Sequence, residues 1–125
     1  MTAVAIWSLA LLGPLFAALP NRSPKESRRF QNVTKPIVTA VNKTFAPADV
    51  RLVLAEFNNS KHWGVHKRPR VQAAVIILAE GNMGKFRKAL KDANLDWRDV
   101  LVWSGLGHAN WPKVAAKKGV PGLRD

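Results

Sequence analysis

The chain has 125 residues, no cysteine, 47% apolar residues, and 20 Lys and Arg against 8 Asp and Glu, for a formal charge of +12. That length holds one modest domain, and the apolar share lies outside the range of chains too polar to build a core. The lack of cysteine excludes a disulfide framework, a thiol nucleophile and every thiolate metal site, zinc fingers and iron–sulfur ligation included.

Charge is spread unevenly. Residues 1–20 carry none, residues 21–70 hold eleven Lys/Arg against three Asp/Glu, and residues 71–125 hold nine against five. Such a field attracts polyanions, whether nucleic acid, anionic lipid or an acidic protein, and does not by itself choose among them.

Residues 1–20, MTAVAIWSLALLGPLFAALP, form an apolar run broken by Gly13 and Pro14 and close to the length that spans a hydrocarbon core. Read as a signal peptide, the run lacks a basic start, and Ala17 and Ala18 give only a loose cleavage pattern. Read as a membrane anchor, it is followed by Arg22, Lys25, Arg28 and Arg29, which hold the C-terminal part in the cytoplasm. The alternative is an extension or a misassigned start, which leaves the protein cytoplasmic. Residues 21–44 are polar, basic and punctuated by Pro24 and Pro36, and read as a linker. Within them Ile37, Val38 and Val41 suffice for a helical turn or a short strand, too small to stand without packing on the rest. The triplets at Asn21, Asn32, Asn42 and Asn58 match the glycosylation acceptor pattern, which is common by chance, and no glycan is predicted.

Residues 45–125 read as a domain of four or five short helices. Pro47 suits a first helical turn, with Val50, Leu52, Val53, Leu54 and Phe57 as the apolar face and Asn58-Asn59-Ser60 as the stop. After a loop, Pro69 opens a second helix whose segment Val71 to Ala79 leaves almost no polar side. A buried strand is the competing reading there; Gln72, Ala73, Ala74, Ala79 and Glu80 favour helix. Gly81 ends it, Asn82 caps a third helix with Met83, Phe86, Leu90 and Ala93 inward, and Lys85, Arg87, Lys88 and Lys91 face solvent. Asp96 caps a fourth helix with Trp97, Val100 and Leu101 inward, ended by Gly105. Asn110 caps a fifth, with Trp111 and Pro112 in its first turn and Lys117 and Lys118 in its last.

From about residue 47 onward, three stretches stand out: Arg70-Val71-Gln72-Ala73-Ala74-Val75, then Leu78-Ala79-Glu80-Gly81-Asn82, then Asp96-Trp97-Arg98-Asp99-Val100-Leu101. With them the chain resembles a group of small uncharacterised bacterial helical proteins. The resemblance implies a helical fold and no particular activity. Asn82 departs from it where an acidic cap is common, as does the strongly basic balance.

No pattern for chemistry is complete. His62 and His66 have the spacing of two ligands on one helical face, but Gly64 lies between them, and His108 is the only other imidazole. Solvated loop histidines explain them, and no metal or cofactor is predicted. Ser104 lacks the glycine two residues earlier that a nucleophile elbow needs, since Val102 stands there. Asp96 and Asp99 have roles at a helix start, and with Asp92 they show no unequal environments for acid and base work. The chain therefore reads as not an enzyme.

The candidate polyanion-binding residues are Lys61, Trp63, Lys67, Arg68 and Arg70 in the loop, and Lys85 and Lys88 on the third helix. Cations with an interleaved aromatic suit phosphate contact and base stacking, although a solvated loop has the same composition. The last two helices superficially match a helix-turn-helix, but the final one offers no Asn or Gln to read base edges. Trp97 has core spacing, Trp111 closes the bundle, and Trp103 either marks a contact surface with Leu106 or is shielded by the final helix. The leading expectation is a binding or scaffolding module for an acidic protein or an anionic membrane surface. The alternative is a non-specific nucleic-acid-binding module, and no small-molecule substrate is predicted.

Overall fold

The computed structural model describes residues 30–60 and 63–124; the apolar run 1–20 and Lys61 lie outside them. Six helices run through the described residues, which contain no strand. They are α1 (Lys35–Thr44), α2 (Pro47–Asn59), α3 (Arg68–Ala79), α4 (Met83–Leu95), α5 (Trp97–Ser104) and α6 (Trp111–Lys117). Among the described residues no helix is long and apolar enough to cross a membrane.

The hydrophobic pattern of α3 explains its place. A helix apolar on every side has to be buried on every side, and Val71 through Ile76 and Ala79 are all buried. α1, α4, α5 and α6 each pack on it, while α2 packs on α1. The strand reading of this segment is thereby excluded. Its end is sharp: Glu80 adopts a left-handed conformation (φ 50°), followed by Gly81 (φ 76°). Gly81 is required twice over, because a Cβ there would also stand 2.7 Å from the Thr44 carbonyl oxygen.

α4 is amphipathic as expected, with Phe86, Ala89, Leu90 and Ala93 buried. Asn82 caps it, its Oδ1 accepting from the Lys85 backbone N–H at 2.9 Å. Phe86 meets Phe45 and Phe57 edge to face, at centroid distances of 5.7 and 5.3 Å, and so joins α4 to the α1–α2 connection and to the last turn of α2. Asp96 caps α5 through the Arg98 backbone N–H, and Gly105 ends it in a left-handed cap (φ 85°). There the Leu106 N–H donates to Leu101 O at 2.8 Å, which closes the last turn.

The structure corrects the sequence reading at several points. Residues 30–44 are not a linker. α1 occupies most of them, Pro36 stands in its first turn, and Phe30, Val33, Ile37, Ala40 and Val41 belong to the core. Burying a side chain such as Ile37 is worth about 1.5–3 kcal/mol, enough to hold a helix that could not stand alone. Leu52, expected inward, is 50% exposed, because Val50, Val53, Leu54 and Phe57 already fill the α2 face. Trp97 is half-buried. Asn110 precedes α6 without a side-chain capping bond.

Candidate polyanion-binding surface

The segment from Trp63 to Arg70 is built into the fold more than it is displayed, and Arg68 and Arg70, read from the sequence as loop residues, stand in the first turn of α3. Trp63 is 7% exposed, and its Nε1 donates to the Ala93 carbonyl at 3.1 Å, fastening the loop to α4. An indole so placed cannot stack on a base, which corrects its reading as an interleaved aromatic. Arg68 Nη1 donates to Asn32 Oδ1 at 3.2 Å. Arg70 Nε donates to Leu106 O at 2.8 Å and Nη2 to His108 O at 3.3 Å, while its guanidinium lies 5.4 Å from the Trp111 ring centre. It thus binds the start of α3 to the α5–α6 connection. Lys67 is exposed and stands 5.0 Å from the Trp97 ring centre, in cation–π range.

Asn32 is the residue at which several of these bonds meet. Its N–H donates to Asn58 Oδ1 and its Nδ2 to Asn58 O, both at 3.0 Å, and its carbonyl accepts from the buried Gln72 Nε2 at 3.0 Å. Asn42 Nδ2 donates to Val38 O within α1. In Asn32 and Asn42 the amide nitrogens are thus engaged within the fold.

The other two candidates stand in the open. Lys85 Nζ lies 2.6 Å from Glu80 Oε1, and Lys88 Nζ 3.0 Å from Asp92 Oδ2. Arg87 and Lys91 are exposed on the same helix. Exposed pairs of this kind contribute little to stability, and an incoming anion can share their cations. The bonded Lys85 ammonium, by hydrogen bond first and charge second, holds the Glu80 carboxyl below its ordinary range. Arg98 does the same to Asp96 through its side chain and its backbone N–H.

Beside these lysines is an open groove of about 180 Å³ lined by Leu78, Lys85, Lys88, Ala89, Asp92 and Trp103. Trp103 is 57% exposed, so α6 does not shield it. Leu106, paired with it in the sequence reading, is fully buried instead. The stripe Lys85, Lys88, Asp92 follows from helical spacing, but no local signal could bring Leu78 and Trp103 to its side. That juxtaposition depends on α3, α4 and α5 packing together.

Ser104 Oγ donates to Leu101 O at 3.2 Å, a local bond at the helix end, and Ser104 O accepts from Lys118 Nζ at 2.7 Å. Among the described residues no group of three or more His, Asp or Glu is placed to hold a metal ion. His62 lies outside the described residues, while His66 and His108 are exposed. No model of a known family, no curated protein and no solved structure matches the chain.

Proposed function

We propose that the chain is a non-enzymatic binding module that presents the outward face of α4 to an acidic protein. One observation carries the reading. Arg68 and Arg70 are part-buried and bonded within the fold, whereas Lys85 and Lys88, held only in exposed ion pairs, stand with Arg87 and Lys91 on the solvent side of one helix. That helix holds four Lys/Arg and a single Asp. A surplus of exposed cations steers and holds polyanions. A concave apolar wall beside them suits a folded or folding protein segment better than the flat face of a bilayer or a phosphate backbone.

The test compares binding of the full chain to polyglutamate, polyglutamine, phosphatidylserine-containing phosphatidylcholine vesicles and a mixed-sequence DNA duplex, by fluorescence anisotropy or sedimentation. Polyglutamate is expected to bind and polyglutamine not to, with affinity falling as salt rises and the Lys85→Glu/Lys88→Glu variant weakened. Binding confined to vesicles or to duplex overturns the reading. So does polyglutamate binding that the double variant leaves intact.

A further inference from the structure

We infer that the groove between α3, α4 and α5 is the docking site for an acidic amphipathic segment of the partner, which seats one apolar side chain against Trp103 and sets carboxylates on Lys85 and Lys88. The inference rests on the binding-module reading above and adds to it a place and a recognition chemistry.

Three features select the occupant. The first is size: about 180 Å³ is close to an engineered cavity of roughly 150 Å³ that takes up benzene. The groove therefore accommodates one large apolar side chain and not a whole helix. The second is the wall. Leu78 and Ala89 form an apolar floor, and Trp103, the residue type most often central to binding hot spots, supplies an exposed ring. The third is charge. Lys85 and Lys88 are themselves groove-lining residues, whereas Arg87 and Lys91 lie on other sides of α4 by helical spacing. Asp92 also lines the groove and is bonded to Lys88, and Glu80 is bonded to Lys85. The excess charge that favours an anionic occupant is therefore that of the whole chain, +12, and these exposed pairs leave their cations open to it. A second copy of this chain, also carrying +12, would be repelled. A segment that places glutamates three or four residues either side of an apolar anchor, on one helical face, meets the wall and the lysines together.

The experiment uses the full chain and two synthetic helical peptides. One carries a single tryptophan anchor flanked by glutamates at helical spacing, and the other has that anchor replaced by serine. The anchored peptide is expected to bind about tenfold more tightly than the serine peptide. Trp103→Ala is expected to erase that difference while leaving weak, salt-sensitive binding of both. Lys85→Glu/Lys88→Glu is expected to weaken both peptides. Lys35→Glu is expected to change little, since Lys35 lies at the start of α1, a helix that supplies no residue to the groove. Trp103, Lys85 and Lys88 are all exposed, so the variants retain the fold, as far-UV circular dichroism would verify.

If both peptides bind equally to the wild type, or Trp103→Ala preserves the preference for the anchor, the groove inference is overturned while the basic-module reading stands. If neither peptide binds, both fall. Capture of phosphatidylserine vesicles or duplex in preference to the anchored peptide overturns the groove as a protein site.

Discussion

Arg70 shows how a single side chain can change meaning between sequence and structure. In sequence it belongs to a basic stretch that suggests phosphate binding; in the fold its guanidinium serves two carbonyls and stacks near Trp111. A lysine cannot supply that planar fork. Arg70→Lys is therefore expected to cost about 1–3 kcal/mol, seen as a lower midpoint in urea, while leaving polyglutamate affinity unchanged. Asp96 and Glu80 add a small acid-sensitive contribution, since both of their ion pairs are open to solvent. Each is held below its ordinary range in the folded state, so its stabilising effect is present above the unfolded pKa and is lost as pH falls through the folded value. Their part of the thermal stability should accordingly be lost below about pH 4, and Asp96→Asn, which keeps a capping oxygen but loses the charge, should remove the small share that Asp96 carries. Such caps were readable because they are local: Asn82, Asp96 and Gly105 act within a few residues of themselves. The fates of Trp63 and Asn32 were not, since their partners lie 30 and 26 residues away for the bonds to Ala93 and Asn58.

At the scale of elements, α1 is the main departure from expectation. Ile37, Ala40 and Val41 recur at helical spacing, but the element is only 10 residues long and a helix that short does not stand alone, so the pattern by itself does not announce a core element. What makes it a helix is the site it fills against α2 and α3, where Ile37, Ala40 and Val41 are buried. A linker would tolerate Ile37→Ala without cost. For a core element the expected loss is about 2–5 kcal/mol, measured by urea unfolding, and a change within experimental error would return α1 to the status of a spacer. α3 and α4 were legible for the opposite reason, because continuous apolarity and strong amphipathicity each admit one kind of burial. The groove lies between these extremes. Its lysine stripe follows from one helix, while its tryptophan wall follows only from three helices meeting.

For the whole molecule, the +12 charge sets a standing self-repulsion that the core has to overcome. Raising ionic strength from low salt to about 0.15 M, where screening reaches about 8 Å, is expected to raise Tm and at the same time weaken acidic-peptide binding. Opposite salt slopes for stability and affinity would separate general charge from the docking site; a Tm that falls with salt would mean that attractive pairs dominate the surface. The other global feature is where the described chain comes to rest. Val120 is buried, and Gly122 lies so near α1 that a Cβ there would stand 3.5 Å from the Pro36 ring. The last described turn thus lies beside the first helix, and the path of the described backbone returns to where its helices start. The order of the helices along the polymer is then separable from their arrangement in space. A circular permutant of the described residues 30–124, bridged from the last turn to the segment before α1 and opened in the exposed turn at residues 107–110, would trace the same bundle from a different starting point.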